Sequence, residues 1–78
     1  MEKLNLVLNS NKRSIEVSYK VEDEKHDKDT FHAIVEIVRQ NKLSCIIGDD
    51  YNGLKCFHIS GILSKDVIKA YNSIEKLT

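Results

Sequence analysis

The sequence contains no proline and no tryptophan, and it has two cysteines among 78 residues. Without proline-rich or low-complexity tracts, nothing in the composition predicts a flexible linker. No apolar run approaches the roughly 20 residues of a membrane-spanning helix. The first residues alternate apolar and polar side chains, unlike a signal peptide. Two cysteines without an export signal predict reduced thiols in a cytoplasmic protein.

The charged residues balance, with 12 Lys and Arg against 12 Asp and Glu. A neutral chain has no long-range attraction to nucleic acid or to anionic membranes, so no membrane partner is expected. Neutrality also removes the repulsion that keeps many small proteins monomeric. We expect one domain spanning residues 1–78. A domain of this size buries only about 60% of the surface that its unfolded chain exposes, so self-association would add stability.

The strongest helical pattern lies in residues 29–42. Its apolar side chains share one face and are Phe31, Ile34, Val35 and Val38. Asp29 is the predicted N-cap, with Asp27 as the alternative. The charged run 22–28 is then expected to be a solvated connection. Its consecutive acids lack the alternating ligands and central glycine of a calcium loop, so no metal site is expected there.

Two alternating segments near the N-terminus predict a β-hairpin. Their apolar residues are Leu4, Leu6, Leu8, Ile15, Val17, Tyr19 and Val21. Residues 9–12, NSNK, have the chemistry of a turn. A four-residue turn would place Leu6 opposite Ile15 and Leu8 opposite Arg13. Both apolar rows would then lie on one face of the hairpin.

A second hairpin is predicted around Asn52-Gly53, because both residues accept the positive φ of a two-residue turn. That turn would place Ile46 opposite Ile59. The last helix is predicted to begin at Ser64 as N-cap. Its apolar stripe is Leu63, Val67, Tyr71, Ile74 and Leu77. The order ββαββα favours an α+β two-layer sandwich, in which a four-stranded, mostly antiparallel sheet carries both helices on one face.

Both faces of the second hairpin carry apolar residues. One face has Leu43, Cys45, Ile47, Leu54 and Cys56, and we expect it to lie inward with the thiols as small buried hydrophobes. Ile46, Phe57 and Ile59 would then be exposed, joined by Val7 of the first hairpin. Such a patch is typical of a protein-binding surface. Scattered apolar residues are also common on ordinary surfaces.

Cys45, Cys56 and His58 share a face in this register and are residue types that ligate zinc. The paired short spacings of zinc sites are absent, so no metal or cofactor is expected. Cys56 and His58 are two positions apart on one strand, roughly 6–7 Å, which exceeds a nucleophile–base hydrogen bond. No phosphate-binding loop or catalytic motif occurs. We expect no enzyme; a small enzyme of unknown type is a further alternative.

Four basic residues form a candidate nucleic-acid surface. Lys12 and Arg13 lie at the first hairpin tip, and Lys65 and Lys69 lie one turn apart on the last helix. Few aromatic residues are available to stack on bases. The leading hypothesis is therefore a non-enzymatic protein-interaction module. It would bind a protein partner, or a second copy as a homodimer, through the outer face or an edge of the sheet. Nucleic-acid binding is the alternative.

Overall fold

The chain forms four strands and two helices in the order predicted. The computed structural model describes residues 4–49 and 53–77. The elements are β1 (Asn5–Leu8), β2 (Ser14–Lys20), α1 (Glu24–Gln40), β3 (Ser44–Asp49), β4 (Leu54–Ser60) and α2 (Ser64–Glu75). The α+β class and the ββαββα order are thus confirmed.

The four strands form one sheet in the order β1-β2-β4-β3, and every neighbouring pair is antiparallel. The two hairpins therefore join through β2 and β4, which leaves β1 and β3 at the edges. Both helices contribute to one core with the inner face of the sheet. The fully buried apolar side chains of this core are Ile15, Val17, Tyr19, Ile34, Phe57, Ile59, Val67, Ala70 and Ile74. The sheet's other face carries no helix in the described residues.

Helix α1 begins earlier than the sequence predicts. Its N-cap is Asp23, whose carboxylate accepts the Lys25 backbone N–H at 2.8 Å. The prediction of Asp29 or Asp27 as N-cap is wrong, because residues 24–28 form the first turns of the helix and are no solvated connection. Oppositely charged side chains four residues apart stabilise these turns, as in the Lys25–Asp29 ion pair at 3.2 Å.

The first hairpin has the predicted faces but a register shifted by two residues. Leu6 pairs with Val17 and Leu8 pairs with Ile15, so the predicted pairs of Leu6 with Ile15 and Leu8 with Arg13 are wrong. Asn9 donates its N–H to the Ser14 carbonyl at 2.9 Å, so the turn between them still has four residues, 10–13. A shift of two residues leaves each side chain on its original face. The leucines of β1 therefore still point toward the core, and Val7 remains outside at 59% exposure.

The second hairpin differs in a way that changes its faces. Ile47 pairs with Phe57, and Cys45 pairs with Ile59. The register with Ile46 opposite Ile59 is wrong by one residue. The proposed Asn52-Gly53 turn lies partly outside the described residues, since only Gly53 is described, with φ of 75°. A shift of one residue moves one strand's side chains to the opposite face relative to its partner.

This shift overturns half of the predicted binding patch. Phe57 and Ile59 are 0% exposed and lie in the core, so they form no exposed surface. They share the inner face with Cys45 and Ile47 of β3, whose inward placement was expected. The prediction that Leu54 and Cys56 of β4 face inward is wrong, because both lie on the outer face of the sheet.

Helix α2 starts one residue earlier than predicted. Leu63 occupies the N-cap, with extended backbone (φ −103°, ψ 124°) and no side-chain hydrogen bond. Ser64, predicted as N-cap, is the first helical residue instead. A leucine cannot accept the free N–H groups of the first turn, so this helix end lacks the stabilisation that serine supplies at an N-cap.

We expect Leu63→Ser to raise the free energy of unfolding by about 0.5–1 kcal/mol, because the new hydroxyl can accept a first-turn N–H. In a domain of this size that corresponds to about 2–8 °C in the midpoint of thermal unfolding. Ser64→Ala is the matched control and should change the midpoint little. A large loss with Ser64→Ala would contradict the N-cap assignment.

Candidate interaction surface

The two remaining residues of the predicted patch lie on one row across the outer face. Val7 pairs with Glu16, Glu16 with His58, and His58 with Ile46, so the row crosses all four strands. The His58 imidazole and the Glu16 carboxylate are in direct contact at its centre. Ile46 is 71% exposed. Val7 and Ile46 therefore lie at opposite edges of the sheet and form no continuous patch.

The edge strand β3 is the most open apolar element among the described residues. Ile46 points to the outer face and Ile47 to the inner face, and Ile47 is still 43% exposed. No charged residue occurs from Ser44 to Gly48. A bare edge strand presents unpaired backbone N–H and C=O groups, and natural proteins usually protect such edges with charges, proline or short length. The opposite edge, β1, has four residues and is contacted by α2.

The predicted grouping of thiols and histidine is wrong, because Cys45 lies on the inner face whereas Cys56 and His58 lie on the outer face. Both thiols are free. Burial raises the pKa of the Cys45 thiol, which lowers its nucleophilicity at neutral pH. In residues 4–49 and 53–77, no three metal-binding side chains come together.

A polar cluster at the inner rim of the sheet was not predicted. Asp27 of α1 accepts the Tyr19 hydroxyl at 2.8 Å and the Lys55 ammonium at 2.9 Å. The ammonium also lies 5.1 Å from the centroid of the Phe31 ring. An open pocket of about 400 Å³ lies beside the cluster, lined by Glu24, Asp27, Lys28, Phe31 and Lys55.

The cluster fixes the N-terminal half of α1 to the sheet. The side chains of Lys55 and Asp27 are 18% and 20% exposed, so water screens their attraction only in part. The hydrogen bond from Lys55, then that from Tyr19, lowers the pKa of Asp27 below its ordinary value of 3.8. Because Lys55 and Tyr19 form a cross-strand pair, one carboxylate of the helix holds two neighbouring strands.

The basic candidates fall into two groups. Gly61 donates its N–H to the carbonyl of Arg13 at 3.1 Å, which brings the first hairpin tip close to the start of α2. Lys12, Arg13 and Lys65 therefore lie at one end of the sheet and are all exposed. Lys69 is also exposed but lies one turn further along α2. Nucleic-acid binding by these residues stays a prediction.

Comparison with known proteins adds no family. No family model, no curated protein and no solved structure matches the chain. None of the helices in the described part of the chain has the length and hydropathy needed to cross a membrane. Functional inference therefore depends on the surfaces and contacts of the chain itself.

We expect Asp27→Ala to lower the free energy of unfolding by about 1–2 kcal/mol at neutral pH, because it leaves the Lys55 ammonium partly buried without its carboxylate. Folding lowers the pKa of Asp27 below its ordinary value of 3.8. The stability that the Asp27 carboxylate contributes is therefore fully present above pH 3.8, and it is lost as the pH falls through the lowered pKa of the folded state. Urea unfolding at several pH values should show the difference from the parent protein shrinking in acid.

The matched control is Asp29→Ala, which removes an exposed ion pair with Lys25 on the same helix. It should change stability by less than about 0.5 kcal/mol. Equal effects of Asp27→Ala and Asp29→Ala would contradict the role assigned to the cluster.

Proposed function

We propose that the protein is a self-associating module, in which the edge strand β3 of one copy pairs with β3 of a second copy. The observation that carries the proposal is a strand edge without charged residues from Ser44 to Gly48 that carries two exposed isoleucines, Ile46 at 71% and Ile47 at 43%. Strand addition uses the free backbone groups of such an edge, and side chains on both faces add specificity. The product is a homodimer with a continuous eight-stranded sheet.

Two-fold symmetry restricts how the strands can pair. A two-fold axis perpendicular to the sheet makes the two β3 strands antiparallel and keeps both pairs of helices on the same side. Residues of the outer face must then pair with outer-face residues. An axis at Ile46 places the two Ile46 side chains opposite each other and places Cys45 opposite the partner's Ile47. Every one of these pairs is apolar, which is the composition that stabilises cross-strand pairs.

The charges next to the strand favour this antiparallel arrangement. Lys42 precedes β3, and β3 ends at Asp49. Antiparallel pairing brings the basic start of one strand beside the acidic end of the other, whereas parallel pairing would bring like charges together. The formal net charge of zero adds no repulsion between copies.

The expected affinity is moderate. One strand pair with four partly exposed isoleucines is small compared with standard interfaces of about 1,600 Å². Association also loses about 4–15 kcal/mol of translational and rotational freedom. We therefore expect a dissociation constant on the order of micromolar, so that the dimer population depends strongly on concentration.

We expect Ile46→Lys to make the protein monomeric, because two lysines would face each other across the symmetry axis. Sedimentation equilibrium over a range of concentrations should give the parent protein a mass approaching twice 9.0 kDa, and the variant 9.0 kDa. Val7→Lys is the control, since Val7 is 59% exposed on β1, at the opposite edge of the sheet. A monomeric parent protein, or a dimer that survives Ile46→Lys, would refute the proposal.

The position of the axis has its own test. In a chain carrying Cys45→Ser and Cys56→Ser, Ile46→Cys should form an intermolecular disulfide on mild oxidation, because directly opposite Cβ atoms lie about 4.5–5.5 Å apart. Val7→Cys in the same background is the control on the opposite edge, where Val7 is 59% exposed against 71% for Ile46, and it should stay uncrosslinked. Equal crosslinking of both variants would indicate random collision and contradict this register.

A further inference from the structure

Three loops meet at one end of the sheet, although they are distant in sequence. They are residues 9–13, 41–43 and 61–63. The Gly61 N–H bonds to the Arg13 carbonyl at 3.1 Å, which joins the first loop to the third. The side chain of Leu43 lies directly against Gly61, where a Cβ atom would come within 2.4 Å of its Cδ2 atom. This end is therefore one continuous surface.

The centre of this surface is aliphatic and exposed. Ile62 is 89% exposed, the highest value among the large apolar side chains of the described residues, and its neighbour Leu63 is 52% exposed. The two lie in an irregular segment between β4 and α2, flanked by Gly61 and Ser64. Neither residue contributes to the core cluster. Folding leaves these two large side chains in water.

Positive charge surrounds the aliphatic pair. Lys12 and Arg13 lie in loop 9–13, Lys42 lies in loop 41–43 and Lys65 lies in the first turn of α2, and all four side chains are exposed. The loops and this turn contain a single acidic residue, Asp66. The neutral chain thus has a basic end, which its total charge does not reveal.

The opposite end of the sheet has the reverse balance. Residues 20–29 connect the end of β2 to the first turns of α1 and carry five acidic residues against three lysines. The prediction that no membrane would attract the protein considered the summed charge only. The folded chain separates its charges along the strands, and local charge is what a nearby surface experiences within a Debye length of about 10 Å.

We propose that this end, with Ile62 and Leu63 at its centre, binds the surface of an anionic lipid bilayer. The aliphatic side chains enter the boundary between headgroups and acyl chains, and the four cations contact lipid phosphates and carboxylates. The chemistry favours lipid over nucleic acid, because the loops present aliphatic side chains and no aromatic ring for base stacking.

Bilayer binding requires no dimer. In the antiparallel dimer, the two basic ends point in opposite directions. A flat bilayer could therefore contact the basic end of only one of the two copies at a time. Lys42 also lies beside the dimer edge, whereas the other three cations and Ile62 do not. The two proposals can therefore be tested by separate variants.

The test is co-sedimentation of the full chain with vesicles of phosphatidylcholine containing about 30% phosphatidylserine, compared with phosphatidylcholine alone. We expect binding to the anionic vesicles at low salt and its loss at roughly 0.5 M salt. Ile62→Ser should weaken partitioning about tenfold, because it removes the most exposed aliphatic group. Lys12→Gln and Arg13→Gln should each weaken it about fivefold.

The control variant is Lys25→Gln with Lys28→Gln, which removes two exposed lysines at the opposite end and should leave partitioning unchanged. Ile46→Lys should also bind vesicles, even where it abolishes the dimer. Absence of binding by the parent chain overturns the proposal. Equal binding by Ile62→Ser overturns the insertion of the loop. Tighter binding to a mixed-sequence single-stranded oligonucleotide than to vesicles, insensitive to Ile62→Ser, would assign this end to nucleic acid and refute the lipid proposal.

Discussion

The pairing of β3 with β4 determines which side chains the helices cover. Ile47 lies opposite Phe57 and Cys45 opposite Ile59, so these apolar side chains share the face of the sheet that the helices cover. Phe57 then packs between the Tyr19 and Phe31 rings, at centroid distances of 6.0 and 5.7 Å. Full burial of a phenylalanine or isoleucine contributes about 1.5–3 kcal/mol. Losing two such residues would remove a large share of the roughly 5–15 kcal/mol that stabilises a small domain.

The same pairing leaves β3 at an edge with isoleucines on both faces. Ile47 faces inward, yet at the rim of the sheet it is 43% exposed. Ile46 faces outward, beside the contact between His58 and Glu16. The strand therefore combines apolar side chains with free backbone groups.

Much of the fold could be predicted because alternation and helical spacing tolerate errors in the position of an element's ends. Ile15, Val17 and Tyr19 alternate with polar residues, and all three are buried. Ile34 and Val38 lie one turn apart and both face the core. The first hairpin kept its predicted faces although its register is shifted by two residues, because an even shift preserves the alternation.

The register of the second hairpin, the start of α1 and the contact of Asp27 with Lys55 could not be predicted, because each depends on the arrangement of several residues together. Asn52-Gly53 strongly favours a two-residue turn, but the pairs on either side of the loop enclose an odd number of residues, 50–54 between Asp49 and Lys55. The start of α1 was missed because the run 22–28 looks solvated by composition, although its charges have helical spacing. The contact of Asp27 with Lys55 joins residues 28 positions apart, and only knowledge of the inner face would have indicated that Lys55 needs a carboxylate.

The placement of the two thiols has a practical consequence. Cys45 lies in the edge strand β3 on the helical side of the sheet, and Cys56 lies on the bare side in the interior strand β4. Both thiols are partly accessible, and the sequence contains two cysteines in total. Two single-cysteine versions of the chain would therefore carry a fluorophore on either side of the same four-stranded layer. One dye would sense events at the rim of the sheet and the other would sense events on its open face.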